Sequence, residues 1–268
     1  KPYEVFPWDI ADRFVKNDRK VLGDLKPLVV EEQFFVHEEV KTFHSLQFPL
    51  RGEGGEPIGI AGISSDISER KRSEGFLFFQ NKILQNMVHE SSLKKVLEFI
   101  VLGIEEQIDT SKGSILLLDK TGKYLSEGVA PNLPKPYSDA IDGMSIGACA
   151  GSCGTAAYRK EIVIVADIAS DPLWHEFKEI ALLSDLRACW SIPIFDRDGN
   201  VLGTFAFYYN KPSQPTDGEL GIMASVAHLA SLAIEQKRTQ EDLQKYKLEL
   251  EDSLNFNEER LQLFLAAT

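Results

Sequence analysis

The first part of the chain shows one helical pattern followed by three strand-like ones. Asp9 to Leu22 carries apolar residues at roughly helical spacing. Three stretches with strand character follow, at Leu28–His37, Lys41–Leu50 and Ile58–Ile67. The run Arg51–Glu56 contains three glycines and is typical of a turn. The pattern therefore predicts a short helix leading into three antiparallel strands.

Two amphipathic helices are predicted next. In residues 68–90, apolar side chains recur every three or four positions and form one stripe: Phe76, Phe79, Ile83 and Met87. A second helix is expected from Ser92 to Ile108, with Ser91 as its N-cap. Its apolar face consists of Leu93, Val96, Leu97, Ile100, Ile104 and Ile108.

Residues 91–235 then alternate between strand and helix patterns, which indicates a second α+β domain. Strands are expected at 114–118, 124–130, 162–165, 190–195 and 201–209, and helices at 154–160 and 173–183. The sequences Asp119–Gly122 and Asp196–Gly199 are typical of hairpin turns. Thr216 is expected to open the last helix.

The last helix carries a heptad pattern, with alternating steps of four and three. The seam consists of Ile222, Val226, Leu229, Ala233, Gln236, Gln240, Leu243, Lys247, Leu250, Leu254, Asn257, Leu261 and Phe264. Up to Ala233 the helix is expected to pack on its own domain. Beyond about residue 236 no domain sequence remains to cover it, so the pattern predicts a parallel dimeric coiled coil.

The sequence Asp66-Ile-Ser-Glu-Arg-Lys-Arg-Ser73 joins the third predicted strand to the first long helix. The Asp66 carboxylate is suited to accept the free N–H groups of the first helical turn. This joint resembles the end of a PAS domain, where the last strand passes into a signalling helix. The resemblance implies sensing and transmission. Only the C-terminal half of a PAS sheet is recognised in residues 1–67, so no ligand is expected there.

Four segments of the second domain together resemble a GAF domain. They are Gly151–Ala157, Asp167–Pro172, Leu186–Ile194 and Gly199–Phe205. The resemblance implies a six-stranded antiparallel sheet with the terminal helices on one face and a ligand cavity on the other. The predicted fold class is therefore α+β, with partial PAS domain 1–67, connector helix 68–90, GAF domain 91–235 and signalling coiled coil 236–268.

Composition narrows the range of partners. The chain has 29 basic and 41 acidic residues, a formal net charge of −12, which argues against nucleic acid or an anionic membrane surface. No apolar run reaches the roughly 20 residues of a membrane span. Three cysteines, an odd number, favour a reducing compartment and a cytoplasmic location. Because the chain begins without Met and stops within a helical pattern, it is expected to be a piece of a longer protein.

The Gly-rich run Gly147–Gly154 precedes a predicted helix, whose free N–H groups can bind an anion or a polar ligand. The alternative is a tight turn with an N-cap. GAF domains place this helix beside their cavity, and nitrate-sensing GAF proteins are one such case. The predicted ligand-binding residues are Ser152, Cys153, Gly154, Trp174, Arg187, Cys189, Trp190, Phe205 and Tyr208. Strand alternation implies that Cys189 and Trp190 cannot both face the ligand.

The cysteines leave two interpretations open. Cys149, Cys153 and Cys189 match no zinc-ligand spacing, so no metal is expected, and they are consistent with buried fillers. The run around Cys153 also resembles free-methionine-sulfoxide reductases, GAF-fold enzymes that use three cysteines. Two departures weaken this resemblance: Cys149 lies only four residues before Cys153, and Trp190 stands where an acidic residue follows in that family.

No cofactor is identified. A bilin needs an attachment cysteine, commonly followed by His, and no Cys-His pair occurs. His175 is considered as a haem ligand, but a partly exposed histidine on a helix is the preferred interpretation. No catalytic triad, Walker motif or carboxylate pair is visible, so the segment is not expected to be an enzyme, although the full protein is expected to carry a kinase or cyclase output.

The overall interpretation is the input region of a modular, bacterial-type sensor. A small polar or anionic ligand in the GAF cavity would act through a homodimer formed by the connector and C-terminal helices. The sulfoxide reductase is the first alternative, and a ligand-free dimerisation module is the second.

Overall fold

The computed structural model describes residues 7–36, 39–90, 92–108 and 111–266, and the chain divides into two compact units, Lys1–Phe78 and Phe79–Thr268. The helices are α1 (Trp8–Asp24), α2 (Ser68–His89), α3 (Leu93–Glu105), α4 (Lys135–Ile141), α5 (Gly151–Arg159), α6 (Lys178–Leu183) and α7 (Asp217–Ala266). The strands are β1 (Leu28–Val36), β2 (Glu39–Arg51), β3 (Pro57–Asp66), β4 (Ser111–Leu118), β5 (Tyr124–Val129), β6 (Met144–Ser145), β7 (Val163–Val165), β8 (Ala188–Phe195) and β9 (Val201–Tyr209).

The first unit is a three-stranded antiparallel sheet, β1-β2-β3, preceded by α1. The helix and three strands predicted from the sequence are confirmed. The Asp66 carboxylate accepts the backbone N–H of Ser68 at 2.9 Å, so it caps the start of α2 as expected. The predicted N-cap Ser91 lies outside the described residues, and α3 begins at Leu93.

The second unit contains a six-stranded antiparallel sheet in the order β6-β5-β4-β9-β8-β7. Helices α3 and α7 cover one face, packing against β4 and against β8 and β9 respectively, whereas α5 packs against β8 and β9 on the other. This confirms the predicted six-stranded sheet and the placement of the terminal helices.

The structure departs from the sequence analysis in two places. The helix expected over Leu173–Leu183 is broken into a 3-10 turn, Pro172–Trp174, and the short helix α6. Asp171 caps the start of the 3-10 turn by accepting the Leu173 N–H at 2.8 Å, and residues 175–177 separate the turn from α6. Helix α4 was not predicted, because its proline-containing sequence Pro134-Lys-Pro-Tyr137 is typical of a loop.

Helix α7 is 50 residues long, or about 75 Å at the usual rise per residue. The Thr216 hydroxyl accepts the Glu219 N–H, and the Glu219 carboxylate accepts the Thr216 N–H, so a capping box starts the helix. Val226, Leu229 and Ala233 are buried, as the sequence predicted. From Arg238 to Leu254 every residue of this chain is exposed.

Candidate functional site

The candidate site lies between α5 and the sheet in the second unit. Gly151 begins α5 with a backbone φ of +58°, a left-handed conformation that favours glycine. This turn brings Ser152 and Cys153 against strand β8. The Ser152 hydroxyl donates to the Cys189 carbonyl at 3.1 Å and accepts the Trp174 indole N–H, also at 3.1 Å. Ser152 thus ties the 3-10 turn, α5 and β8 together.

Tyrosines complete the buried polar cluster. The Tyr208 hydroxyl lies 3.5 Å from the Cys153 sulfur and accepts the Ser114 hydroxyl at 3.3 Å. The Tyr137 ring from α4 stacks near Trp174 and meets Tyr208 edge-on, with ring centroids 6.3 and 5.6 Å apart. All five side chains are buried. Burial raises the pKa of both tyrosines well above the ordinary value, so they remain hydrogen-bond donors.

The two buried thiols differ in acidity. A hydrogen bond from the Cys189 thiol lowers the pKa of Cys153 to about 7, against the opposing effect of burial, and Tyr208, Ser191 and Thr204 contribute in the same direction. Burial raises the pKa of Cys189, as does its contact with Cys153. The pKa values of the two thiols are therefore shifted in opposite directions, and Cys153 is the more acidic of the two.

These side chains surround a small enclosed cavity. Its walls are Tyr137, Ile141, Met144, Gly151, Ser152, Cys153, Trp174, Phe177 and Tyr208. The cavity volume that the centre of a water molecule can occupy is about 10 Å³, which is near the lower limit for holding one water. The protein's own side chains thus fill most of this space, and a larger ligand requires some of them to move.

The structure brings together five of the nine predicted ligand-binding residues. Ser152, Cys153, Trp174 and Tyr208 line the cavity, and Cys189 lies in the same buried cluster. Trp190 and Phe205 do not join them, because strand alternation turns them to the opposite face. There the Trp190 indole donates to the Ser213 carbonyl at 3.1 Å, and Phe205 packs on Phe207.

Two further predicted residues lie away from the cavity. The Arg187 side chain is exposed. Its backbone N–H donates to the Tyr209 carbonyl at 2.7 Å. Gly154 serves packing: a Cβ there would lie 2.7 Å from the Ala150 Cβ and 3.0 Å from the Ser145 carbonyl. His175 is exposed. No group of three or more metal-binding side chains occurs among the described residues.

The sequence analysis missed Tyr137, Ser191 and Thr204. The last two were detectable, because they fall two and four residues from Cys189 and Tyr208 on the same faces of β8 and β9. The Thr204 hydroxyl is buried without a hydrogen-bond partner among the described residues. Tyr137 had no such signal, since it sits on the helix that was not predicted.

Comparison with known proteins agrees with this architecture. The GAF domain family model matches residues 90–235, more than half of the sequence, and the PAS fold model matches residues 1–72. The chain belongs to the GAF domain family, and its two domains are those of a PAS–GAF sensor region.

One curated relative is the methyl sulfide methyltransferase-associated sensor of Methanosarcina acetivorans. It is 37% identical over 207 residues, which cover 77% of this chain and 21% of the relative. The chain thus spans about a fifth of the length of that sensor. None of the helices in the described ranges has the length and hydropathy needed to span a membrane.

Two solved structures are similar to the second unit's fold. The GAF domain of a phosphoenolpyruvate-protein phosphotransferase from Coxiella burnetii has a TM-score of 0.50 and 19% identity, covering 63% of this chain and 98% of that one. A free methionine-R-sulfoxide reductase from Neisseria meningitidis has a TM-score of 0.46 and 19% identity, covering 60% of this chain and 89% of that one. The first likeness shows the fold, and neither bears on activity.

Proposed function

We propose that this chain is the sensory input region of a signal-transduction protein, in which a small polar ligand binds beside α5 and changes the packing of paired helices. The observation that carries the proposal is the cluster of buried hydroxyls, an indole N–H and thiols around the cavity. Burying polar groups costs free energy unless they are hydrogen-bonded, and small-molecule pockets combine a few such groups with apolar and aromatic walls. The curated relative is itself named a sensor.

Ligand entry requires the cavity to open. Tyr137, Trp174 and Phe177 come from α4, the 3-10 turn and the start of α6, which are short elements joined by loops. Their outward movement would leave Ser152, Cys153 and Tyr208 as polar contacts, with the aromatic rings covering a flat apolar side. The ligand would thereby favour an open arrangement of this segment over the closed one.

The connection to helix α7 runs through β8 and β9. The Ser231 hydroxyl of α7 donates to the Phe195 carbonyl at the end of β8, at 2.6 Å. The Glu235 carboxylate of α7 accepts the Arg197 backbone N–H at 3.1 Å and pairs with its guanidinium at 3.4 Å. A displacement of β8 at Cys189 would therefore reach α7 just before its exposed portion begins.

A second copy of this chain is the proposed partner. Exposed leucines Leu243, Leu250 and Leu254 follow the heptad seam of α7. Leu84 and Val88 of α2, also exposed, line a groove together with Leu243. A parallel homodimer would cover both sets of side chains, as the sequence pattern predicted.

Thermal shift measurements test the ligand site. Melting temperature is measured with sodium nitrate and with sodium benzoate, a compact anion and one with a flat apolar side. Binding raises the melting temperature, and we expect Tyr208→Phe to weaken the effect while Trp190→Phe, on the opposite sheet face, retains it. Equal shifts in both variants would place the ligand elsewhere. No shift with either anion would favour the ligand-free dimerisation module.

The reductase alternative is tested with free methionine sulfoxide. Cys153 and Cys189 are both buried in one core cluster, but Cys149 is exposed. The structure thus assembles two of the three cysteines, and we expect no turnover when methionine sulfoxide is incubated with dithiothreitol and the protein. Sulfoxide consumption that disappears in Cys153→Ser would establish the enzyme instead.

A paired substitution tests the dimer. Leu250 lies on the seam and Leu248 lies off it, and the two leucines are 51% and 60% exposed. Burying one leucine contributes about 1.5–3 kcal/mol, so Leu250→Asn should raise the dimer dissociation constant at least about tenfold. Leu248→Asn is the matched control and should leave it within about twofold. Equal effects in sedimentation equilibrium would contradict the seam.

A further inference from the structure

The first unit contains a cleft beside strand β1, where α1 and the start of α2 approach that strand. The cleft has a volume of about 560 Å³, within the range of small-molecule sites. Polar side chains make up most of its wall: Arg13, Glu31, Glu32, Gln33, Thr42 and Lys71. All of these residues belong to the same compact unit, so the cleft is formed within it.

Glu32 is a buried carboxylate with one unused oxygen. The residue is only 8% exposed, and its Oε1 atom accepts the Asn17 amide N–H of α1 at 2.9 Å. Its Oε2 atom is buried and has no hydrogen-bond partner within the part of the chain that the structure describes. Because an unsatisfied buried acceptor is costly, above all a charged one, this oxygen needs a donor that the described residues do not supply.

The unused oxygen lies within reach of a molecule in the cleft. Glu32 lines the cleft, and the terminal torsion of a glutamate side chain is soft, so a small rotation turns Oε2 toward the open space. The Asn17 amide meanwhile holds the other oxygen in place. A positively charged N–H donor matches this carboxylate best, since charge-assisted hydrogen bonds are the stronger ones.

Two cations lie at the exposed side of the same cleft. The Arg13 guanidinium donates to the Gln33 carbonyl at 3.2 Å and lies 5.1 Å from the centroid of the Phe34 ring. Both of these partners are uncharged, and a guanidinium has five N–H donors, so Arg13 can bind a carboxylate as well. The Lys71 ammonium pairs with the Glu31 carboxylate at 2.7 Å. Of the two cations, Arg13 is therefore the better anion-binding group.

We propose that this cleft binds a free amino acid, with its ammonium group on Glu32 and its carboxylate on Arg13. Arg13 and Asn17 lie four residues apart on one face of α1, and they contact the successive residues Gln33 and Glu32 of β1. The positive and negative groups of the cleft are thus neighbours, as the two charged groups of an α-amino acid are. A ligand with an ammonium alone would be repelled by Arg13, and one with a carboxylate alone by Glu32.

No ligand was expected in this unit, because the sequence shows only the C-terminal half of a PAS sheet. The cleft does not need the other half, since its walls come from α1, β1, β2 and the start of α2. The site is also independent of the GAF cavity and of the function proposed for that cavity.

Thermal shift and titration calorimetry on the full chain test the site. The standard L-amino acids are screened one at a time, and the one that raises the melting temperature most is titrated. Glu32→Gln keeps the shape of the side chain and removes its charge, so we expect it to weaken binding at least about tenfold. Glu53→Gln is the matched control, because it removes an exposed carboxylate from the β2–β3 turn, and it should leave the dissociation constant unchanged.

The carboxylate end of the ligand is tested separately. Arg13→Gln should weaken binding about tenfold, whereas Arg19→Gln, at another exposed position of α1, should have no effect. This pair also decides the question if Glu32→Gln fails to fold. The amide of the bound amino acid lacks the carboxylate charge, and its N-acetyl derivative lacks the ammonium. Each should bind at least about tenfold more weakly than the amino acid itself.

Several results would overturn the proposal. One is a screen in which no amino acid raises the melting temperature, and another is equal affinity for the amino acid and either derivative. Binding that survives Glu32→Gln unchanged would also contradict it, and loss of that binding in Tyr208→Phe would place the amino acid in the GAF cavity. Failure here leaves the function proposed for the GAF cavity standing, because that cavity is tested with nitrate and benzoate.

Discussion

The two faces of the GAF sheet are built by the same strands but differ in chemistry. On the face covered by α3 and α7, β8 and β9 present Trp190, Phe205 and Phe207, which bury large apolar surfaces. On the face covered by α5, the same strands present Cys189, Ser191, Thr204 and Tyr208. Adjacent residues along β8 and β9 therefore lie on opposite faces, one packing against helices and the next presenting a thiol or a hydroxyl.

This division separates stability from chemistry. The apolar face holds its helices mainly by the burial of large apolar side chains. On the polar face, directed hydrogen bonds fix the positions of Ser152, Trp174 and Cys153. Substitutions on the first face should therefore change stability most, and those on the second should change reactivity and binding.

The largest effect is expected on the apolar face. Phe205→Ala removes a completely buried ring that packs edge-on against Phe207, with centroids 4.8 Å apart. We expect a loss of about 3–5 kcal/mol in the free energy of unfolding, measured by urea denaturation. Tyr158→Ala removes an aromatic ring that is 57% exposed and should change stability by less than about 0.5 kcal/mol. Similar losses in both variants would show that this face does not dominate stability.

A smaller loss is expected on the polar face. Ser152→Ala removes the acceptor of the Trp174 indole N–H and leaves that donor buried. An unsatisfied buried donor costs about 1–3 kcal/mol. Ser225→Ala is the control, because that hydroxyl makes an exposed hydrogen bond to the Gly221 carbonyl. Equal urea midpoints for Ser152→Ala and wild type would mean that Ser152 does not hold the 3-10 turn in place.

The sequence predicted regular elements better than it predicted the site. In long elements such as α7 and the β8–β9 hairpin, the spacing of apolar residues is itself enough to predict the helix or strand. The polar cluster depends on which residues meet across α5, the 3-10 turn and β8, and no local pattern encodes that meeting. Alternation along β8 did separate Cys189 from Trp190. No pattern placed Tyr137, because the prolines near the start of α4 made its sequence typical of a loop.

A modest effect is expected for Trp190→Phe. The change removes the indole N–H donated to the Ser213 carbonyl but keeps a ring against Tyr209, whose centroid is 4.4 Å away. We expect a loss of about 0.5–1.5 kcal/mol in thermal or urea unfolding. A loss as large as that of Phe205→Ala would show that the indole N–H, and not the ring, dominates at this position.

The finest test concerns the acidity of Cys153. Its pKa of about 7 lies below the ordinary thiol value of 9.0, so the folded state favours the thiolate. The stabilisation from this group is fully present above the ordinary pKa and is lost as pH falls through about 7. The ultraviolet absorbance of the thiolate, taken as the difference between wild type and Cys153→Ser, should therefore rise with a midpoint near pH 7. Tyr208→Phe removes a donor to the sulfur and should move that midpoint to higher pH, whereas Trp190→Phe should not. An unchanged midpoint in Tyr208→Phe would mean that the polar face does not tune its own thiolate.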